Sequence, residues 1–111
     1  RDLPGLEPPV GAVVGVRGAV MSKRKFPMGQ LVATLAVLEL MRKENVNLEE
    51  LFARHVAGDW GSVSEATRAD NERALAGGGR LVSIHEAAGR YVWIVTEADR
   101  ARTTALLPEE F

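Results

Sequence analysis

The spacing of apolar residues in the first half of the chain is helical. Between residues 30 and 42, apolar side chains recur at steps of three and four, namely Leu31, Leu35, Leu38 and Met41. This period is typical of a helix that buries one face. The pattern therefore predicts a helix over 30–42. Thr34 leaves an alternative open, in which it is the N-cap and the residues before it are extended.

Two further helices are bounded by capping residues. Asn47 followed by Glu50 is a capping-box pattern and Gly58 follows the last periodic residue, which predicts a helix over about 48–57. Ser62 followed by Glu65 repeats the pattern. A third helix is therefore predicted over about 63–76, since the glycines that follow it would be costly inside a helix.

After residue 80 the apolar residues alternate with a period of two, which indicates strands. The predicted strands cover 81–86, 91–97 and 103–107, and the turns between them are short enough to require antiparallel neighbours. In the middle strand Val92 and Ile94 point to one side, whereas Tyr91, Trp93 and Val95 point to the other. We expect one side to pack on the helices and the other to be free to meet a partner.

These elements predict a single α+β domain in which about three helices are followed by a three-stranded antiparallel β-meander. The residues expected in its core are Leu38, Leu51, Phe52, Val56, Leu75, Val82, Ile94 and Leu106. A three-stranded sheet has two open edges. These edges and the bulky second side of the sheet lead us to expect a homodimer.

Residues 1–20 differ in composition from the rest of the chain. They contain three of the five prolines, and Met21 is followed by Ser-Lys-Arg-Lys, which resembles a translation start. We interpret residues 1–20 as a leader derived from a vector or from upstream sequence, followed by one domain over 21–111. The alternative is an N-terminal arm, in which residues 10–20 add a strand or a dimer contact.

Composition narrows the class of protein. The 111 residues include no cysteine, which excludes disulfide scaffolds and thiolate metal sites. Fourteen basic residues against 15 acidic ones give a net charge of −1, so no overall field attracts nucleic acid or anionic lipid. No apolar run reaches the roughly 18 residues of a membrane span. We therefore expect a cytoplasmic protein that does not contact a membrane.

Several stretches of the chain resemble a known family. They are 29–34 (GQLVAT), 52–61 (FARHVAGDWG), 70–72 (DNE), 80–83 (RLVS), 93–100 (WIVTEADR), 103–104 (TT) and 106–110 (LLPEE). In these stretches the chain is similar to short bacterial proteins labelled plasmid-related, which are carried on plasmids and integrative elements. Where that family has Pro-Gly after the Ala-Thr pair, this chain has Leu35-Ala36. The resemblance implies an origin on a mobile genetic element and implies no particular activity.

His55 and Asp59 are the candidates for catalysis if the protein is an enzyme. The aspartate follows the histidine by four residues, so its carboxylate could orient the imidazole as a general base. In the simpler interpretation, His55 completes the apolar face of its helix, Asp59 bonds to the next turn and Trp60 fills the core. We favour the simpler interpretation and expect no catalytic residues.

His85 is the candidate for metal binding. It lies near the end of a predicted strand, beside Glu86, and two histidines with nearby carboxylates can bind zinc in a folded site. The sequence has no helical pair of histidines four residues apart, and nothing in the spacing requires a metal. We therefore expect no metal and no cofactor.

Polar and aromatic residues near the turns are the candidates for binding. Residues 96–100, followed by Thr103 and Thr104, could hold a phosphate or a small molecule through Arg100 and Arg102. The simpler interpretation is a solvated turn in which Asp99 bonds its own backbone. The full set of candidate binding residues is Trp60, Asn71, Arg80, Trp93, Asp99 and Arg100.

Three functions fit these patterns. We favour a non-catalytic protein-interaction module that is an accessory protein of a mobile element. The second hypothesis is nucleic-acid binding through the sheet, where the candidate residues are Tyr91, Trp93, Arg80, Arg90, Arg100 and Arg102. The nearby acidic residues and the overall charge disfavour it. The third hypothesis is a small enzyme that uses His55 and Asp59.

Overall fold

The protein folds as three α-helices on a mixed β-sheet. The computed structural model describes residues 11–13 and 24–111. The strands in these residues are β1 (Gly11–Val13), β2 (Gln30–Thr34), β3 (Leu81–Ala87), β4 (Arg90–Thr96) and β5 (Arg102–Leu106). The helices are α1 (Leu35–Glu44), α2 (Leu48–Val56) and α3 (Glu65–Gly77), and a 3₁₀ helix follows over Pro108–Glu110.

The sheet is larger than the sequence predicts. Its strand order is β1-β2-β5-β4-β3. The predicted antiparallel meander is present as β3, β4 and β5, but β2 pairs with β5 in parallel and β1 pairs with β2 antiparallel. The prediction of a three-stranded antiparallel sheet is therefore wrong, although the α+β class is correct.

The first half of the predicted 30–42 helix is a strand instead. Residues 30–34 form β2, and α1 begins only at Leu35. Thr34 ends the strand and is the N-cap of α1, since its hydroxyl oxygen accepts a hydrogen bond from the amide of Val37 at 3.2 Å. The alternative interpretation of Thr34 as an N-cap after an extended segment is thus correct.

The caps of the other two helices explain where they begin. The side chain of Asn47 accepts a hydrogen bond from the amide of Glu49 at 2.9 Å, and α2 covers the predicted residues to within one position. α3 begins later than predicted because Ser64, not Ser62, is its N-cap, where it accepts from the amide of Thr67 at 3.1 Å.

The core lies between the helices and one face of the sheet, which we call the inner face. Five of the predicted core residues are buried, namely Leu51, Phe52, Val56, Ile94 and Leu106. Three others are only half-buried, namely Leu38, Leu75 and Val82. The opposite side, the outer face, carries Val82, Ile84, Tyr91, Trp93, Val95 and Leu106.

β1 lies within the segment that the sequence suggests is a leader or an arm. Its three residues pair antiparallel with β2, with Gly11 opposite Thr34. The pairing is compatible with the alternative in which this segment adds a strand, but it does not show whether the segment is native. Residues 1–10 and 14–23 lie outside the described residues, so the leader stays a prediction.

Candidate functional site

His55 is buried on the side of α2 that faces the sheet. Its Nδ1 lies 2.6 Å from the Oγ of Ser83 on β3, and its Nε2 lies 2.8 Å from the Oγ1 of Thr96 on β4. Both ring nitrogens are therefore occupied by hydroxyl groups of the sheet. The imidazole ties α2 to two neighbouring strands.

Asp59 forms a different set of contacts. Its Oδ2 accepts a hydrogen bond from the Nε of Arg54 at 2.8 Å, and its Oδ1 accepts one from the amide of Gly61 at 3.1 Å. Burial opposes ionisation of this carboxyl, but the Arg54 guanidinium and the Gly61 amide outweigh it and hold the pKa of Asp59 below its usual range. The structure therefore does not join Asp59 to His55 as the hypothetical catalytic pair requires.

His55 is the centre of a row of buried hydrogen bonds that crosses the sheet. On one side, Ser83 Oγ also contacts the Nε2 of His85 at 3.1 Å. On the other side, Thr96 Oγ1 lies 2.7 Å from Thr103 Oγ1, which donates to the carbonyl oxygen of Met28 at 2.7 Å. The five side chains, each 1% exposed or less, form what we call the buried chain: His85, Ser83, His55, Thr96 and Thr103.

The direction of each bond in the buried chain follows by elimination from the Met28 end. A carbonyl only accepts, so Thr103 donates to Met28 and must accept from Thr96. Thr96 has then used its hydrogen, so it accepts from the Nε2–H of His55. The bare Nδ1 of His55 accepts from the hydroxyl of Ser83.

The last step of this elimination fixes the tautomer of His85. Because Ser83 donates to His55, its oxygen can only accept from His85, so the Nε2 of His85 carries the hydrogen. Its Nδ1 is consequently a bare acceptor. This nitrogen is buried and has no hydrogen-bond partner among the described residues, which is uncommon for a buried polar atom.

Both histidines are neutral near pH 7. Burial, aided by the positive field of His85 and Arg100, lowers the pKa of His55 to about 3. Burial, aided by Arg54 and opposed by Asp59, lowers the pKa of His85 to about 4. Because desolvation penalises only the charged form, a neutral, directed chain is the stable arrangement.

The pair of Ser83 and His55 has the spacing of a nucleophile and a general base, but both side chains are completely buried. The arrangement as it stands has no exposed reacting atom, so it does not support the enzyme hypothesis. Sequence reasoning missed Ser83, and it assigned Thr96 and Thr103 to a candidate phosphate-binding stretch instead of placing them beside His55. The available signal was their position on the inner face, where small polar residues interrupt apolar ones.

Two of the candidate binding residues on the helix side are buried and bonded within the protein. Trp60 is 1% exposed, and its indole Nε1–H donates to Glu72 Oε2 at 3.0 Å. Asn71 is equally buried; its amide donates to the carbonyl oxygen of Val82 at 2.8 Å and accepts from the Val82 amide at 3.1 Å. Asn71 thus imitates a neighbouring strand at the free edge of β3.

Arg100 and Asp99 stabilise the turn between β4 and β5. The guanidinium of Arg100 donates to the carbonyl oxygens of Gly79 at 2.6 Å and Ala74 at 3.0 Å, which ties the end of α3 to this turn. Asp99 Oδ1 accepts from the amide of Ala101 at 2.9 Å, as the solvated-turn interpretation expects. Arg80 is exposed on the loop after α3.

Three aromatic side chains lie at the accessible part of the outer face. Tyr91 is 49% exposed and Phe111 is 37% exposed. The half-buried ring of Trp93 lies 4.9 Å from that of Phe111, centroid to centroid. We call Tyr91, Trp93 and Phe111 the aromatic patch. Sequence reasoning included Trp93 and missed Phe111, because nothing local shows that the last residue returns to the sheet.

Arg102 and Arg90, two arginines of the sheet, form ion pairs with carboxylates. Arg102 lies 2.9 Å from Glu97 Oε2, and Arg90 lies 3.4 Å from Glu109 Oε2. The first pair lies at the far end of β4 and β5 and the second lies beside the patch, so these residues do not form the contiguous cationic surface that nucleic-acid binding requires.

A metal site requires several ligating side chains close together, and a membrane span requires a long apolar helix. In the part of the chain that the structure describes, no group of three or more histidine, aspartate or glutamate side chains is placed to hold a metal ion. No helix within it is long and apolar enough to cross a bilayer.

Comparison of the chain with models of protein families, with curated proteins and with solved structures gives no match. The resemblance to plasmid-related proteins therefore stays a prediction.

Proposed function

We propose that this protein is a non-catalytic interaction module that associates with a second copy of itself through the outer face of its sheet. The observation that carries the proposal is the aromatic patch, where Tyr91 and Phe111 are exposed beside Trp93. Aromatic side chains bury a large area with little loss of rotamer freedom, and they are enriched at the centres of interfaces. An accessory role on a mobile genetic element, which the resemblance implies, is part of this proposal.

The face of the sheet is a better docking surface than the β3 edge. Asn71 occupies the edge at Val82, and the backbone of residues 60–62 occupies it at Ile84. A partner strand would have to displace both. The side chains of the outer face need no such rearrangement to meet another surface.

A second copy fits the charges around the patch. Glu86, Arg90 and Glu109 lie beside the patch, so both signs of charge are present there. Two identical faces related by a two-fold axis can place acidic groups of one copy near basic groups of the other. A polyanion would meet arginines that already have carboxylate partners.

Substitution of Tyr91 tests this proposal. Tyr91→Glu places a charge in the proposed interface, and two copies would bring two such charges together without partners. We expect the wild-type chain to be a dimer by light scattering and the variant dimer to dissociate at least about tenfold more readily, which is the equivalent of about 1.4 kcal/mol.

Ala69→Glu is the matched control, because Ala69 is exposed on α3, on the helix side of the sheet and away from the outer face. It should leave the dimer intact. A wild-type monomer at all concentrations, or equal loss of dimer in both variants, would refute the proposal. Salt-sensitive binding of an oligonucleotide that Tyr91→Glu abolishes, in a monomeric wild type, would favour nucleic acid instead.

A further inference from the structure

A short loop covers the exposed edge of β3. The amide of Ser62 donates to the carbonyl oxygen of Ile84 at 2.7 Å, and the amide of Ile84 donates to the carbonyl oxygen of Trp60 at 3.0 Å. Gly61 forms a parallel bridge with Ile84 between these bonds. We call residues 59–62 the edge loop.

The shape of the edge loop depends on Asp59. Its carboxylate joins Arg54 of α2 to the amide of Gly61, and so holds the loop in the turn that reaches Ile84. Gly61 has a φ of +71°, and a Cβ there would lie 2.0 Å from the carbonyl oxygen of Ile84. The loop and the strand are therefore in close contact through backbone alone.

The bare Nδ1 of His85 lies directly beneath this loop. A Cβ built on Gly61 would be 2.9 Å from it. The charged groups around His85 are Arg54 on α2 and Asp59 in the edge loop, with neutral His55 next in the buried chain. From α3, Glu72 approaches through its hydrogen bond to Trp60.

We propose that His85 and the edge loop form an acid-sensitive latch, in which a proton on Nδ1 of His85 releases the loop from the edge of β3. The neutral ring leaves Asp59 free to hold Arg54 and Gly61. The imidazolium has a second N–H, which has no acceptor in the closed loop.

The nearest anionic acceptor for that N–H is Asp59, which favours the charged form of His85 through its field. If the Asp59 carboxylate rotates toward His85, its hydrogen bond with the Gly61 amide is broken. The edge loop then loses the turn that this bond stabilises. The Nε2–H bond to Ser83 is unaffected, because the proton is added at the other nitrogen. The latch can therefore open without breaking the buried chain.

Opening exposes the backbone of Ile84, which is then available for strand pairing. The latch is separate from the proposed dimer surface. It does not depend on the aromatic patch, so it can be tested in the monomeric Tyr91→Glu variant.

Proton linkage gives the expected size of the effect. The pKa of His85 is about 4 in the closed state and 6.5 when the ring is solvated. Because the ring keeps its bond to Ser83 in the open state, the value for a fully solvated ring sets the upper limit, and one proton coupled between these values increases the opening equilibrium by up to about 70-fold from pH 7.5 to pH 4.5. The exchange rates of the Ser62 and Ile84 amides with deuterium, corrected for intrinsic pH dependence, should show this increase. His85→Gln retains a donor for Ser83 but cannot titrate, so its opening should be independent of pH.

Nitrogen NMR of the histidine rings tests the same proposal without a substitution. At pH 7.5 His85 should be the Nε2–H tautomer and should become protonated at Nδ1 as the two amides lose protection. An Nδ1–H tautomer at pH 7.5 would overturn the proposal. So would acid-induced opening that persists in His85→Gln, or amides whose opening does not change before the whole protein unfolds.

Discussion

At the scale of single residues, the buried chain is held together by Ser83. Its hydroxyl donates to His55 and accepts from His85, so one small side chain satisfies two buried imidazoles. A buried polar group that loses its partner retains the full cost of its desolvation. The serine is therefore more important to stability than its size suggests.

Ser83→Ala should destabilise the protein by about 2–4 kcal/mol, because it leaves one nitrogen of each histidine unpaired in the interior. Ser62→Ala is the control, since Ser62 is exposed and bonds to Ile84 through its backbone. Urea unfolding at pH 7.5 compares the two. If both variants lose the same small amount, the bonds of the buried chain are not significant for stability.

A pair of glycines provides a second test at this scale. Gly61→Ala should cost at least about 2 kcal/mol, because the residue has a left-handed φ and its Cβ would overlap the backbone of Ile84. Gly77→Ala should instead stabilise by about 0.5–1 kcal/mol, since that position is helical and nothing lies within 4 Å of the added Cβ. Thermal unfolding of both variants is the measurement. Equal effects would contradict the described edge loop.

At the scale of elements, local signals predict the helices and strands whose boundaries are set by neighbouring residues. The Asn47 cap and the alternation in β4 are examples. α2 was predicted to within one residue, and β3, β4 and β5 pair antiparallel as expected, but they are only part of a larger mixed sheet, so the predicted three-stranded antiparallel sheet was wrong. The prediction of a helix over residues 30–34 was wrong because both faces of β2 are covered. Its apolar residues therefore fit the pattern of a buried helix and of a buried strand equally well.

The pairing of β2 with β5 depends on contacts that no local pattern shows. Its partner is about 70 residues away in sequence, with Leu31 opposite Thr103. Gly29 permits the approach, because it has a φ of +67° and a Cβ there would lie 2.4 Å from the Ala101 carbonyl. The same limit applies to the site. His55 was singled out from the sequence, but its hydroxyl partners Ser83 and Thr96 come from two strands, β3 and β4, that only the fold brings to it.

Asn71 should protect β3 from unwanted pairing. Asn71→Ala removes both side-chain bonds to the backbone of Val82 and should cost about 1–2 kcal/mol. The uncovered edge should also make the variant more prone to aggregate. Asp70→Ala, an exposed position on the same helix, is the control. Unchanged stability and turbidity on heating would show that the edge needs no side-chain cover.

At the scale of the whole molecule, the two histidines make stability depend on pH. Their pKa values are lower in the folded state, about 3 for His55 and about 4 for His85, than the 6.5 of the unfolded chain. The unfolded state therefore binds more protons as the pH falls below 6.5, and the native state loses stability. Above pH 6.5 the contribution is fully present. Asp59 does not alter this range, since its usual pKa is 3.8 and its folded value is lower.

The free energy of unfolding should fall by about 4 kcal/mol between pH 7.5 and pH 5, about half from each histidine. Urea titrations across this range measure the slope. His85→Gln should remove about half of the slope. A free energy of unfolding that is constant from pH 7.5 to pH 5 would contradict the burial of both neutral rings.

Self-association through the outer face is the central claim, and a dilution series followed by amide and indole NMR tests it most directly. We expect concentration-dependent shifts at Ile84, Tyr91 and the indole of Trp93, and none at the buried indole of Trp60 or at Ala69 on α3. Shifts confined to other surfaces, or none at any concentration, would contradict the claim that the aromatic patch is where two copies meet.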